Sequence, residues 1–385
     1  MDEAPRYNEK IAAFLRKFSH IDWLMMLSIV PLLGAGLVTM NSFLLENYYF
    51  EKQLLSILFS IAVFFILCFV DFRFLRRTIV IVIFYVITCA VLILLLLFAP
   101  SVKGAQSWFN FGFFSFQPSD MAKLMLLFLL AKYFTRRHIA IANIRHILVS
   151  GTYTLVLFVL VFLQPDFGSA IIIFLIWLGV VLLAGISFRH LALVFLLAAL
   201  TFGFFWYFVF QDYQKDRIIS FIYPRTDISG SGYNAFQSTI AIGSGQIMGK
   251  GVGFGTQSRL KFLPEYQTDF VFSAFAEEWG FVGATIIFLC YGFFIYRLLV
   301  NSVKGETNFE ILYALGLAVY FISHFVINVG MSIGYLPITG TPMPFMSYGG
   351  THLLTEFTGL AVLMSMRRYR VRIHKEDMKK EFLGI

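Results

Sequence analysis

The chain is short of charge. Only 14% of its 385 residues are Asp, Glu, Lys or Arg, while 59% are hydrophobic. A soluble domain carries about a quarter charged residues, so an ordinary water-soluble globule is excluded. Cysteine is scarce too. Cys68, Cys89 and Cys290 each lie inside an apolar run, where they read as small core residues rather than a disulfide framework or a thiolate metal site. A cleavable signal peptide is not expected: the N-terminus is polar through His20, and the first apolar run is a full span rather than a short hydrophobic core. Alternating ten-residue segments are missing, which excludes a membrane β-barrel. No low-complexity segment or usable internal repeat stands out.

What is present is a series of long apolar runs, several reaching about 18 residues, enough to cross a hydrocarbon layer of about 30 Å. The fold class expected is an all-α polytopic membrane protein with about 10 transmembrane helices. The spans fall at roughly 22–40, 50–70, 77–99, 119–135, 147–163, 168–186, 190–210, 270–297, 310–333 and 348–366. The basic residues orient them. With the N-terminus inside, the inner segments hold Arg6, Lys10, Arg16, Lys17, Arg73, Arg76, Arg77, Lys132, Arg136, Arg137, Arg145, Arg189, Arg297, Lys304 and the run from Arg367 to Lys380. The short outer loops hold only Lys52 and Lys103. Both termini are therefore expected in the cytoplasm. The net charge of +8 is spent at helix ends and in the tail, so nucleic acid is not an expected partner. The organisation expected is a cytoplasmic segment 1–21, a transmembrane domain 22–366 and a basic cytoplasmic tail 367–385. One large extracytoplasmic loop, about 211–269, holds an expected helix over 233–248. The run Gly249-Lys-Gly-Val-Gly-Phe-Gly255 that follows lacks the strand-then-helix setting of a nucleotide fingerprint and reads as a flexible loop.

Four segments concentrate the polar residues: Gly104–Trp108 with Gln117–Lys123, Gln164–Ser169, Pro264–Phe270 and Pro337–Gly350. The topology places all four at the outer face, although they were not used to derive it. Asp120 and Lys123, three apart at a helix start, share a face and can pair. Ionisable groups at membrane depth usually serve function; a capped helix with a lysine reaching for the interface is the plainer alternative. Asp166 opens the sixth span and reads equally as an N-cap. Asp269, Ser273 and Glu277 recur every four residues on one face of the eighth span, with Glu277 roughly 10 Å down the helix. That stripe is expected to line a polar cavity. Pro337–Gly350 is an irregular connection, and such backbone near membrane depth lines a cavity or is buried in protein. The residues alone fit either a transporter or a membrane-embedded transferase.

Together the segments resemble the SEDS family (shape, elongation, division and sporulation proteins), closest to its RodA branch. The resemblance rests on Gln164–Ala170, Gln237–Gly245, Thr256–Glu265, Thr268–Phe270, Thr339–Phe345 and Ser347–Gly350, in that order, and runs from the first span to Gly350. It implies a peptidoglycan glycosyltransferase that polymerises lipid II at the outer face of the bacterial cytoplasmic membrane, during cell elongation. It implies a class B penicillin-binding protein (a transpeptidase) and elongation-complex membrane proteins as partners. Asp269 matches an essential aspartate, the general base, and Asp166 a second functional aspartate. Asp120 and Lys123 match a glutamate–lysine pair. Substrate contacts are expected from Asp120, Lys123, Glu277, Gln237, Ser238, Arg217, Arg259, Ser347 and Tyr348. The pyrophosphate leaving group calls for cations: Lys123, Arg217, Arg259 or a divalent ion such as Mg2+ or Mn2+. The sequence departs from the family at three places: Asp120 for glutamate, Ser107 for the arginine before Trp108, and Thr351-His352 for two serines. A lipid II flippase and a non-catalytic scaffold for a transpeptidase are the rival readings.

Overall fold

In the computed structural model, residues 18–42, 48–98, 107–110, 115–135, 144–208, 210, 215, 219, 221 and 231–383 are described; side chains beyond Arg368 are not. The architecture is helical. Among the described residues twelve α-helices run in order: α1 (Trp23–Asn41), α2 (Tyr48–Leu67), α3 (Thr78–Phe98), α4 (Pro118–Thr135), α5 (Ile144–Phe162), α6 (Phe167–Leu183), α7 (Phe188–Phe208), α8 (Ser231–Ser244), α9 (Thr256–Arg259), α10 (Val271–Val303), α11 (Asn308–Ser332) and α12 (Gly350–Leu383). A two-residue antiparallel pair, β1 (Phe109–Asn110) with β2 (Ser115–Phe116), leads into α4. Each expected span is occupied by a helix; the helix expected over 233–248 is α8, which ends at Ser244, with 245–248 in a turn. Among the described residues, seven helices (α1, α2, α3, α5, α7, α10 and α11) are long and apolar enough to cross a membrane, and α6 is a shorter apolar helix. The helical backbone of α12 continues past 366 through Leu383.

The helix starts are encoded locally. Asp22 caps α1, its Oδ1 accepting from Met25 N at 3.1 Å, and Thr307 caps α11 by accepting from Glu310 N at 3.3 Å. The core lies among α4, α6, α11 and α12, with α10 against α1 and α11, and α2 along α12. Phe128 of α4 stacks on Tyr313 of α11 at 4.9 Å, and the Tyr313 hydroxyl donates to Gly359 O of α12 at 3.0 Å. Glycines permit these close crossings: a Cβ on Gly316 would sit 2.7 Å from Leu127. Peripheral helices α3 and α7 expose most of their apolar side chains, as lipid-facing helices do. At the end bearing the α1 N-terminus, Asp22 also accepts from Arg297 Nη2 at 2.7 Å and Asn301 Nδ2 at 2.8 Å, tying α1 to α10.

The glycine run is not a free loop. Helix α10 breaks at Gly280 (φ 64°, ψ −162°), and the chain from Gln246 to Gly251 fills the break. Lys250 N donates to Glu277 O (3.0 Å) and Gly251 N to Glu278 O (3.0 Å), while Phe281 N donates to Gln246 O (2.9 Å) and Val282 N to Ile247 O (3.1 Å). The backbone groups freed by the break are thereby satisfied. Glycine is required for this approach: a Cβ on Gly249 (φ +81°) would fall 2.1 Å from Glu278 O. The expectation of flexibility failed because local composition cannot show a long-range backbone partner.

Candidate active site

The four polar segments converge. Helix α6 begins at Asp166, whose Oδ1 accepts from Ser169 N at 3.0 Å. Its Oδ2 accepts from Gln117 Nε2 (3.1 Å) and Ser119 Oγ (3.2 Å) at the start of α4. The N-cap reading of Asp166 and its role as a link between two segments therefore hold together. Gly168 packs onto the third partner: a Cβ there would lie 2.5 Å from Thr341 Cγ2 and 2.7 Å from Thr339 O. On the other side of that short stretch, Gly340 (φ +70°) lies against Asp269, where a Cβ would be 3.3 Å from Oδ2. Gly168, two residues past Asp166, and Asp269 thus stand at neighbouring positions along Thr339–Thr341.

Asp269 is half-buried, just ahead of α10, and its backbone is held on several sides. Asn328 of α11 donates through Nδ2 to both Asp269 O and Thr341 O, each at 2.8 Å. Ser347 Oγ donates to Thr268 O at 2.6 Å and accepts from Met343 N at 2.8 Å. Tyr348 N donates to Gln267 O at 2.8 Å. Gln53 of α2 closes the frame, donating to Ser347 O at 3.1 Å and accepting from Gly349 N at 3.3 Å. The backbone that carries the Asp269 carboxylate is thus fixed from α2, α11 and the 343–349 stretch.

Other expected residues take different places. Asp120 and Lys123 pair at 2.8 Å, each 1% exposed, so Lys123 is enclosed in the core rather than presented to a ligand. Glu277 was expected to line a cavity with Asp269, but it is fully buried under the loop. It takes Lys250 Nζ (2.8 Å), Gln257 N (3.0 Å), Thr256 Oγ1 (3.2 Å), and Ser258 N and Oγ (both 3.3 Å). A buried carboxylate needs such partners, and here they are Lys250 and the first turn of α9, so Glu277 anchors the loop. Ser238 is also inward, bonded to Ser273 Oγ at 2.6 Å and Ser332 O at 2.7 Å. Gln237 is half-buried and Arg259 exposed; Arg217 lies outside the described residues. Tyr348 is half-buried, its ring edge-on to Tyr49 at 5.2 Å.

Of the departures noted in sequence, Ser107 is buried and donates to Gln164 O at 3.4 Å, and Thr351 Oγ1 bonds Ser115 O of β2. Sequence reasoning missed Gln53, His324, Asn328 and Glu356. The available signal was an isolated polar residue inside an apolar span. Among the described residues, no group of three or more His, Cys, Asp or Glu side chains could hold a metal ion.

A family model described as a cell cycle protein, FTSW_RODA_SPOVE, matches residues 16–372. Peptidoglycan glycosyltransferase MrdB of Escherichia coli K12 is 36% identical over 291 residues, 76% of this chain and 78% of that protein. A probable peptidoglycan glycosyltransferase FtsW of Wigglesworthia glossinidia brevipalpis is 36% identical over 74% of each. Among solved structures, a chain of a peptidoglycan synthase complex that coordinates polymerization and crosslinking aligns at TM-score 0.78 and 28% identity, covering 91% of this chain and 98% of that one. The rod shape determining protein RodA of Thermus thermophilus aligns at TM-score 0.69 and 27% identity, covering 91% and 97%. A match of this length, joined to the convergence of the motif segments on Asp166 and Asp269, shows that the chain belongs to the FtsW/RodA/SpoVE family of cell cycle proteins.

Proposed function

We propose that this chain is an inverting peptidoglycan glycosyltransferase that polymerises lipid II for cell elongation and rod shape. The carrying observation is the half-buried Asp269 carboxylate beside Gly340, on a backbone fixed by Asn328, Ser347 and Tyr348. The acceptor sugar hydroxyl loses its proton as its oxygen attacks the donor's anomeric carbon. Asp269 takes that proton. The bond from that carbon to the pyrophosphate oxygen breaks, and the lipid pyrophosphate departs with the electron pair. One direct displacement turns an α-linked donor into a β-linked glycan.

Developing negative charge on the leaving group needs a cation. Arg259, exposed at the end of α9, is the candidate among the described residues, and Arg217, outside them, is the other candidate from the sequence. Both Asp166 oxygens are already engaged by protein donors, and among the described residues no group of three or more His, Cys, Asp or Glu could hold a metal ion. No step is therefore assigned to a metal. Asp166 orients the start of α4, and Gly168 seats the Thr339–Thr341 stretch beside it.

The reading extends to placement. The enzyme sits in the bacterial cytoplasmic membrane with both termini inside and Asp269 on the extracytoplasmic face, which the Lys and Arg distribution supports. Both substrates carry polyprenyl tails, so the site opens sideways to lipid. A class B penicillin-binding protein is the proposed crosslinking partner, supported by the likeness to a chain of a synthase complex. Polymerisation of purified lipid II by the purified protein, with and without its transpeptidase, tests the reading beside Asp269→Asn. Glycan from wild type and none from the folded variant is expected. Glycan from both removes Asp269 as the base; none from wild type with its partner present overturns the enzyme.

A further inference from the structure

Beneath the Pro342–Phe345 turn lies a buried ionic chain that the reaction does not use. Asp120, Lys123, His324, His352 and Glu356 are each at most 4% exposed. Lys123 Nζ pairs with Asp120 Oδ1 at 2.8 Å and meets His324 Nε2 at 3.5 Å. The His352 ring stands between two carboxylates, with Nδ1 3.3 Å from Asp120 Oδ2 and Nε2 3.1 Å from Glu356 Oε1. These are ion-pair separations without hydrogen-bond alignment. Two carboxylates exceed one ammonium by a charge, and a cationic imidazole at His352 balances the second, as buried charges require.

Both ends of the chain reach the same turn. Glu356 Oε2 accepts from Phe345 N at 3.1 Å, and His324 Nδ1 faces Pro342 O at 3.4 Å. The tautomer that donates there leaves Nε2 free to accept from Lys123. Phe345 holds φ +60°, a left-handed conformation that a bulky residue keeps only when its surroundings impose it. The turn continues directly into Thr341 and Gly340, which abut Gly168 and Asp269. The two departures, a shorter Asp120 and a larger His352, thus meet each other in space.

We infer that His352 and Glu356 are positioning residues: the Asp120–His352–Glu356 bridge fixes the Phe345 turn and, through it, the Gly340 wall of the Asp269 site. The catalytic half of this inference rests on the glycosyltransferase reading; the structural half does not. Two measurements on the full-length protein in detergent separate them. The first is hydrogen–deuterium exchange of peptides spanning 339–349 in wild type, Glu356→Gln, His352→Ser and the double variant. Exchange there is expected to speed up about ten-fold or more in each single variant, with α1 and α5 peptides unchanged. This readout needs no activity, so it stands if the enzymatic reading fails.

The second is lipid II polymerisation by the same proteins. The kcat is expected to fall about ten- to a hundred-fold with KM within about two-fold. The double variant should be no worse than the weaker single, because the two residues act through one bridge. Unchanged exchange in the folded Glu356→Gln protein overturns the inference. Faster exchange with wild-type kcat, or additive losses in the double variant, overturns the positioning role. Should His352→Ser fail to fold, Glu356→Gln carries both measurements by itself.

Discussion

Replacing Glu277 by alanine separates an anchor from a substrate ligand. The side chain is fully buried and bonded to Lys250, Thr256, Gln257 and Ser258. Removing one partner of a buried ion pair costs about 3–5 kcal/mol. The Lys250 side chain is 27% exposed and rehydrates when released, which favours the lower end, about 3 kcal/mol. At about 1.4 kcal/mol per factor of ten, local opening of 246–262 becomes on the order of 100-fold more populated. Trypsin reads this directly, since Lys250, Arg259 and Lys261 lie in that stretch. Where opening and closing are fast, cleavage follows the open population. Cutting at these sites should therefore accelerate on the order of 100-fold, while cutting after Arg73 stays as in wild type. Unchanged cleavage would refute the anchoring argument. Weakened lipid II binding with the loop still protected would return Glu277 to the substrate-contact role expected from sequence.

Asn328→Ala removes two 2.8 Å bonds that join Asp269 to Thr341; at about 1 kcal/mol each, thermal unfolding should move by about 2 kcal/mol and kcat should fall at least ten-fold, measured on the same sample. Gly168→Ala places a methyl 2.5 Å from Thr341 Cγ2, so polymerisation should drop well below wild type, whereas Gly203→Ala, with open space around it, should leave it unchanged. Asp22 titrates below its ordinary 3.8: burial pushes its carboxyl up, but the bonds from Arg297, Asn301 and Met25 N outweigh it. A depressed folded value means its stabilisation is complete above pH 3.8 and is lost as pH falls through the folded value. The melting-point gap between wild type and Asp22→Asn should therefore be constant from pH 7 to 5 and shrink below 3.8; a gap that grows on acidification would refute the sign.

The apolar runs by themselves determined that this chain is helical and built for a membrane, because a backbone in hydrocarbon must satisfy its own hydrogen bonds. Local chemistry also fixed several helix starts, since Asp22, Asp166 and Thr307 bond backbone N–H groups only three residues away. The motif segments and their order carried the family and pointed to Asp166 and Asp269. Tertiary structure decided what those residues face. Glu277 fits a helical stripe with Asp269 in sequence, yet the Gly280 break admits the 246–251 segment and turns Glu277 into the anchor of the loop. Lys123 looked like an anion ligand until α11 and α12 closed over it with His324, His352 and Glu356. The physical reason is range: a cap or an apolar period is set by neighbours within a few residues, whereas a buried charge takes its meaning from partners 200 or more positions away.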